Sequence, residues 1–195
     1  MHIDLFVRIV NIINSEIQNI FSRKLHDQDN KEYWYKLKDS HKGKRGFVIA
    51  NGPSLKMDDL DQLTDEITIA SNRIYLAYNK TDWRPNYFTI CDQVLAKKIC
   101  NEVHDYVDII HCPIDIGTHF ERCKTYYWKS LKAPKIMPNN NIKFSGNLSF
   151  GAYGGYSITY QNLQLAVYLG LNPIYIIGCD HNYKGESDMK KVGLI

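Results

Sequence analysis

The sequence predicts a doubly wound α/β fold with a mostly parallel sheet. From residue 46 onward, short and continuously apolar runs alternate with segments of helical character. Apolar runs without alternating polar residues are typical of parallel strands that helices cover on both faces. The chain has 195 residues, 44% of them hydrophobic, which is enough to bury one core. We therefore expect one α/β domain preceded by an N-terminal amphipathic helix.

Residues 1–24 are predicted to form that amphipathic helix. Apolar side chains recur there at three- and four-residue spacing along one stripe, formed by Ile3, Phe6, Val7, Val10, Ile13, Ile17, Ile20 and Phe21. We expect the helix over residues 3–22 to pack on the domain or on a second copy of the chain. Contact with a membrane surface is the alternative, which Asp4 and Glu16 weaken because they repel anionic lipid.

The next elements follow from turn residues that interrupt apolar runs. Residues 25–45 are polar, and they are predicted to be a linker with a short helical piece. A strand is expected over residues 46–50, because this apolar run ends at a Gly-Pro turn. An Asp-rich helix over residues 55–63 and a second strand over 66–71 come next. A brief helix over residues 74–78 is expected to end before the following proline.

The same alternation continues through the rest of the domain, which we assign to residues 46–195. Residues 114–153 are predicted to be irregular, and a loop of this length is usually functional or mobile. Apolar runs bounded by Asn, Asp and Pro mark the remaining elements. Strands are expected at residues 86–91, 107–112 and 174–177, and helices at 94–102 and 157–169.

Composition narrows the class of protein. The net charge is only +3, with no dense basic block, so we expect no nucleic-acid partner. The five cysteines show no C-x-x-C spacing, which favours reduced thiols in a cytoplasmic protein, with peripheral contact at the inner face of the membrane as the alternative. A zinc site is not expected, because no zinc template fits the spacing of the nearby Cys and His residues Cys112, Cys123, His104, His111 and His119.

Polar residues follow the predicted strands at the point where each strand ends. In a doubly wound sheet these ends line the ligand crevice. They are Asn51, Gly52 and Ser54 after the first strand, Ser71, Asn72 and Arg73 after the second, Asp92 after the third, and Gly178, Asp180 and His181 after the last. Ser157 and Thr159 begin the last helix after two glycines, where either an anion site or a simple N-cap is expected.

These residue types allow several chemistries. Asp92 and Asp180 could hold Mg²⁺, accept a ribose hydroxyl or cap the helices that follow them. The Asn72 amide suits the edge of a pyrimidine or a ribose. His181 is the candidate general base, unless it is an ordinary hydrogen-bonded surface histidine. The chain contains no G-x-x-x-x-G-K-[ST] and no G-x-S-x-G sequence, which disfavours a P-loop kinase and a serine hydrolase.

An ordered set of short motifs resembles a known family. The motifs are Ala50-Asn51-Gly52-Pro53-Ser54-Leu55, Ser71-Asn72-Arg73, Ile90-Cys91-Asp92, Ser157-Ile158-Thr159-Tyr160 and Gly178-Cys179-Asp180-His181-Asn182-Tyr183. The set resembles a bacterial family of Rossmann-like proteins related to the archaeal 6-hydroxymethylpterin diphosphokinase and to motility accessory factors. It is also similar to the bacterial CMP-sialic acid-dependent sialyltransferases.

The resemblance implies roles for individual residues. Asn51, Gly52 and Ser54 would line the nucleotide phosphates, and Asn72 would contact the base or ribose. Ser157 and Thr159 would lie at the phosphate or donor, and Asp180 would form the floor of the cleft.

One departure concerns the catalytic base. In the sialyltransferases the catalytic histidine follows the last motif at a distance, in a lid-like segment, whereas this sequence ends at Ile195. Three explanations follow: the domain is truncated at its C-terminus, His181 has another role, or catalysis is absent.

Three functions are therefore expected, in order of preference. The first is a nucleotide-sugar-dependent glycosyltransferase-like protein of bacterial surface glycan synthesis, with a CMP-sugar donor, a glycan acceptor, no required cofactor, and His181 and Asp180 as catalytic residues. The second is an Mg²⁺-dependent pyrophosphokinase that acts on a pterin-like alcohol. The third is a non-catalytic nucleotide-binding scaffold.

Overall fold

The computed structural model describes residues 10–17, 20, 23–24, 27–116, 119–120, 122–132, 143–155 and 157–180. The strands of this part are β1 (Gly46–Ile49), β2 (Ile67–Ser71), β3 (Tyr87–Thr89), β4 (Ile109–Pro113), β5 (Lys124–Trp128), β6 (Ser130–Leu131), β7 (Ala152–Tyr153) and β8 (Ile174–Ile177). Its α-helices beyond residue 27 are α1 (Gln28–Leu37), α2 (Met57–Asp61), α3 (Gln93–Ile99) and α4 (Ile158–Tyr168). Short 3-10 helices lie at Asn72–Asn79 and Val103–Asp105.

Six parallel strands form the main sheet, in the order β5-β4-β3-β2-β1-β8. The chain moves outward from β1 to β5 and then returns through α4 to β8, on the other side of β1. The order of strands therefore reverses at β1, and the crevice at such a switch point is where α/β folds bind ligands. The predicted doubly wound, parallel α/β fold is confirmed.

Helices cover both faces of the sheet, and successive strand residues face opposite cores. Ile49 and Ala70 lie in a core that α2 and α3 close. Val48 and Ile69 lie in the second core, which α1 and α4 close. Burial on both faces explains why these strands contain so few polar residues.

Helix α1 shows that the segment predicted to be a linker belongs to the domain. Trp34 is 3% exposed, and its indole N–H donates to the Tyr127 carbonyl at 2.7 Å. The Asn30 side chain also pairs with Tyr127, donating to its carbonyl and accepting from its N–H. The segment was predicted to be a linker because most of its residues are polar. The average polarity of a segment does not reveal that one face of its helix is buried.

Strand β5 corrects the prediction of an irregular segment over residues 114–153. It pairs with β4 over five residues, from Ile109 with Lys124 to Pro113 with Trp128. In β5 only alternate side chains are buried, namely Tyr126 and Trp128, because their face of the strand packs in the core that α1 and α4 close. A search for continuous apolar runs therefore misses it.

The N-terminal amphipathic helix is described in part. Residues 10–17 are helical, and the apolar side chains Val10, Ile12, Ile13 and Ile17 are exposed. These four side chains are between 38% and 62% exposed, and the expected packing on the domain or on a second copy of the chain stays a prediction. Within the part of the chain that the structure describes, no helix is long and apolar enough to cross a membrane.

Candidate functional site

The turns that follow β1 and β8 are locked to each other at the carboxyl edge of the sheet. The Gly52 N–H donates to the Gly178 carbonyl at 2.8 Å. The Ser54 N–H donates to Asp180 Oδ2 at 2.8 Å, and the Ser54 hydroxyl donates to the other carboxylate oxygen. A Cβ on Gly52 would lie 2.5 Å from both the Gly178 oxygen and Asp180 Oδ2. Only glycine fits this contact.

These hydrogen bonds between the two turns use the same donors that were expected to bind the nucleotide phosphates. The N–H groups of Gly52 and Ser54 and the Ser54 hydroxyl all point at acceptors of the protein. The structure thus brings Gly52, Ser54 and Asp180 together, as expected for strand ends at one edge. In the structure, the Asp180 carboxylate holds the β1 turn in position through these hydrogen bonds.

On the other side of β1, at the β2 end, the polar groups are not satisfied. Asn51 Nδ2 donates to the Ser71 carbonyl at 3.0 Å, while Asn51 Oδ1 is buried and has no partner. The Ser71 hydroxyl is also buried without a partner, in a residue that is 1% exposed. Asn72 Oδ1 is a third such atom. The backbone of Asn72 has φ 61°, a left-handed conformation that Asn tolerates better than most residues. Three buried oxygens without partners therefore belong to residues at the ends of two neighbouring strands.

A buried polar layer continues from these strand ends to helix α4. The Thr89 hydroxyl donates to Asn162 Oδ1 at 2.6 Å, in a pair with no exposed surface. Asn162 Nδ2 and Gln161 Oε1 are buried without partners. Sequence reasoning missed both residues of α4, although three amides at positions 161, 162 and 164 of a largely apolar helix were a usable signal.

The first turn of α4 lies at the same edge, because α4 runs antiparallel to the strands. Ser157 is the N-cap, and its hydroxyl oxygen accepts from the Thr159 N–H at 3.2 Å. Gly155 has φ 55° and approaches the Tyr160 ring closely, so that a Cβ there would lie 2.2 Å from the ring. The N-cap role of Ser157 is thus confirmed, and its ligand role stays a prediction.

Gln164 fixes the loop that leads into α4. Its side chain is fully buried and makes four hydrogen bonds. Oε1 accepts from the N–H groups of Ser145 and Tyr153, and Nε2 donates to the carbonyls of Tyr153 and Tyr160. The start of α4 is therefore held in place by a bonded loop.

Asp92 is not part of this constellation. Its carboxylate accepts from the Leu95 N–H at 2.6 Å and caps α3. β3, which precedes Asp92, is three strand positions from β8, which precedes Asp180, or about 14 Å in the plane of the sheet. These two carboxylates do not fit one shared Mg²⁺ ion. Arg73 is exposed.

Two further titratable groups near the strand ends are Cys91 and His111. Burial raises the pKa of the Cys91 thiol to about 12, so it is not a thiolate nucleophile. Both ring nitrogens of His111 have protein partners, Phe88 O and the Tyr33 hydroxyl. Among the described residues, no group of three or more His, Cys, Asp and Glu side chains could hold a metal ion. The predicted base His181 lies outside the described residues.

Comparisons with known proteins give a family. A family model described as 6-hydroxymethylpterin diphosphokinase MptE-like matches residues 21–186. A solved structure of MAf glycosyltransferase from Magnetospirillum magneticum AMB-1 is similar, with 15% sequence identity and a TM-score of 0.49. The alignment covers 77% of this chain and 25% of that one, so the chain spans about a quarter of that structure. No curated protein matches. The family match confirms the resemblance seen in the motifs and spans most of the sequence, and the chain therefore belongs to the 6-hydroxymethylpterin diphosphokinase MptE-like family.

Proposed function

We propose that this protein is a transferase that binds a nucleotide-linked donor at the carboxyl edge of its sheet, and that the donor is a nucleotide sugar used in bacterial surface glycan synthesis. One observation carries the proposal: five buried side-chain polar atoms without partners belong to residues at the ends of β1 and β2 and on α4. A protein interior normally satisfies such atoms, so a group is needed that supplies their hydrogen bonds. A CMP-sugar is the preferred donor.

Different groups of the chain would bind different parts of such a donor. Asn51, Ser71 and Asn72 would hold the nucleoside. The start of α4 would stabilise the departing phosphate, because the N-terminal end of a helix carries partial positive charge. An acceptor hydroxyl would then attack the sugar carbon as the bond to the phosphate oxygen breaks. The hydroxyl proton would pass to a base, for which His181 is the candidate.

The pyrophosphokinase alternative is favoured by the description of the family. It moves a diphosphate from ATP to an alcohol, and Mg²⁺ would neutralise the transferred phosphates. The carboxylates Asp92 and Asp180 do not fit a shared Mg²⁺ ion, since their strands lie about 14 Å apart. The glycosyltransferase reading does not depend on that pair and is therefore preferred.

A thermal-shift screen with CMP, UDP, GDP and ATP, each with and without Mg²⁺, tests the proposal. A ligand at 100 times its Kd should stabilise the folded protein by about 2.7 kcal/mol. Stabilisation by CMP or UDP that survives EDTA supports the sugar donor, and a shift with ATP that requires Mg²⁺ supports the pyrophosphokinase. Binding without turnover of any donor indicates a scaffold. No shift with any nucleotide contradicts the proposal.

A further inference from the structure

We infer that the part of the nucleotide held at the ends of β1 and β2 presents hydrogen-bond donors, and that the phosphates bind elsewhere, toward the start of α4. This inference rests on the proposed function and specifies the chemistry of the ligand inside the same site. It departs from the sequence-based expectation that Asn51 lines the phosphates.

The orientation of the Asn51 amide shows which kind of ligand group can bind next to it. Its Nδ2 donates to the Ser71 carbonyl at 3.0 Å, and a carbonyl oxygen can only accept. The amide therefore cannot be reversed without losing that bond. The atom left unpartnered is Oδ1, which is buried and can only accept. Whatever reaches Asn51 here must donate.

Asn72, the first residue of the 3-10 helix that follows β2, provides a second acceptor. Its Oδ1 is also buried without a partner. The Asn51 amide bonds to Ser71, the residue directly before Asn72, so one ligand with two donor hydrogens would reach both oxygens. The Ser71 hydroxyl is a further buried group without a partner, and it can donate or accept.

Phosphate oxygens fit this place poorly. They carry negative charge and at neutral pH act as acceptors, so they would face the amide oxygens of Asn51 and Asn72 without a hydrogen between them. The donors of the adjacent β1 turn are engaged by Gly178 and Asp180. The carboxylate of Asp180 adds negative charge on that side.

Three parts of a nucleotide carry suitable donors: the ribose hydroxyls, the exocyclic amino group of a base, and the ring N–H of uracil, guanine or hypoxanthine, which an N-methylated base lacks. Isothermal titration calorimetry on the full chain can distinguish them. Each ribonucleoside monophosphate is compared with its 2′-deoxy and 3′-deoxy counterparts, CMP with UMP, AMP and GMP with IMP, and UMP, GMP and IMP with their ring N-methylated forms. We expect removal of the recognised donor to weaken binding by about tenfold, as the loss of one hydrogen bond does.

Two variants assign the contact. Asn72→Gly removes the amide oxygen and keeps the left-handed backbone, because glycine adopts positive φ freely. Asn51→Ala removes the other acceptor, and its thermal midpoint reports whether it still folds. In the variant that lacks the true partner, the tenfold preference should disappear. Asn101→Gly is the control, since Asn101 is an exposed turn residue.

The outcomes separate this inference from the proposed function. If nucleotides bind but every deoxy, amino-free and N-methylated analogue binds the wild type equally well, the inference is overturned and the nucleotide-binding function stands. A preference that persists in both folded variants also overturns it, because the donor is then read elsewhere. If no nucleotide binds, the proposed function fails and the inference fails with it.

Discussion

The polar groups on the two sides of strand β1 differ in whether they have hydrogen-bond partners. On the β8 side, Gly52 and Ser54 donate to Gly178 and Asp180, and the turn is closed by its own hydrogen bonds. On the β2 side, Asn51 and its neighbours leave buried oxygens without partners. Both sides lie at the same edge of one sheet, and both are built from short turns after parallel strands.

Under the proposed function, the β8 side stabilises the fold and the β2 side binds the ligand. A satisfied polar group stabilises the folded chain without a ligand, whereas an unsatisfied one destabilises it until a ligand arrives. Substitutions on the β8 side should therefore lower stability. Substitutions on the β2 side should lower affinity and leave stability unchanged or improved. The predictions below test that division.

The largest effect is expected at Gly52. Gly52→Ala places a Cβ 2.5 Å from the Gly178 oxygen and from Asp180 Oδ2, and the former is a backbone atom that cannot rotate away. We expect a loss of about 3 kcal/mol in the free energy of unfolding, as overpacking of this kind produces. Urea denaturation followed by circular dichroism measures it.

Gly146→Ala is the matched control for this substitution. A Cβ at Gly146 meets nothing within 4 Å, so its free energy of unfolding should stay close to that of the wild type. Equal stability of the two variants would show that the turns of β1 and β8 are not locked together.

A second satisfied group is His111, a buried titratable side chain on β4 opposite Thr89. Burial lowers its pKa to about 4, and the Phe88 carbonyl and Tyr33 hydroxyl bond its two nitrogens. The unfolded chain takes up this proton near pH 6.5, but the folded chain does not. Stability is therefore complete above pH 6.5 and is lost as the pH falls toward 4. We expect a loss of about 2 kcal/mol between pH 7 and pH 5.

The measurement is the urea midpoint of the wild type and of His111→Gln at both pH values. The variant has no titrating ring at this position and should lose most of that pH dependence, although its stability at pH 7 is lower. A pH dependence that is the same in both proteins would assign the acid sensitivity to other residues.

Asp180 tests whether the closed side is structural or catalytic. Asp180→Ala removes the acceptor for both Ser54 donors, and we expect it to destabilise the fold by about 1–2 kcal/mol. Ser54→Ala keeps the N–H contact and should cost less, about 0.5–1 kcal/mol. Unchanged stability of Asp180→Ala together with complete loss of transfer activity would instead assign Asp180 to catalysis.

The fold followed from the sequence where burial is two-sided. Strands β1 and β2 were predicted within one residue at each end, because apolar runs between turn residues mark strands that are covered on both faces. Strand β8 was predicted at its observed limits from its apolar run, although Tyr175 and Ile176 are each 47% exposed. Edge strand β5 was missed, and helix α1 was predicted only as a short helical piece within a linker. Each buries only part of its surface, and the polar residue Asn30 completes their contact.

The site could be predicted as a set of strand ends but not as a pattern of partners. Sequence reasoning placed Gly52, Ser54 and Asp180 at one edge, where the structure has them. It could not tell which donors face one another, because that depends on distances of a few tenths of an ångström. Asn162 was missed, since its role depends on Thr89 more than 70 positions earlier in the chain.

The smallest expected effect is also the most direct test of the open side. Ser71→Ala removes a buried hydroxyl that has no partner, so the free protein should gain about 0.5 kcal/mol, while nucleotide affinity falls. Thr89→Val is the matched control, because the Thr89 hydroxyl is equally buried but bonded to Asn162, and its loss should cost about 1 kcal/mol. Thermal midpoints and calorimetric titrations of both variants give opposite signs if the two hydroxyls differ as described. If Ser71→Ala destabilises the free protein as much as Thr89→Val does, the Ser71 hydroxyl has a partner within the fold, and the open side of β1 is closed as well.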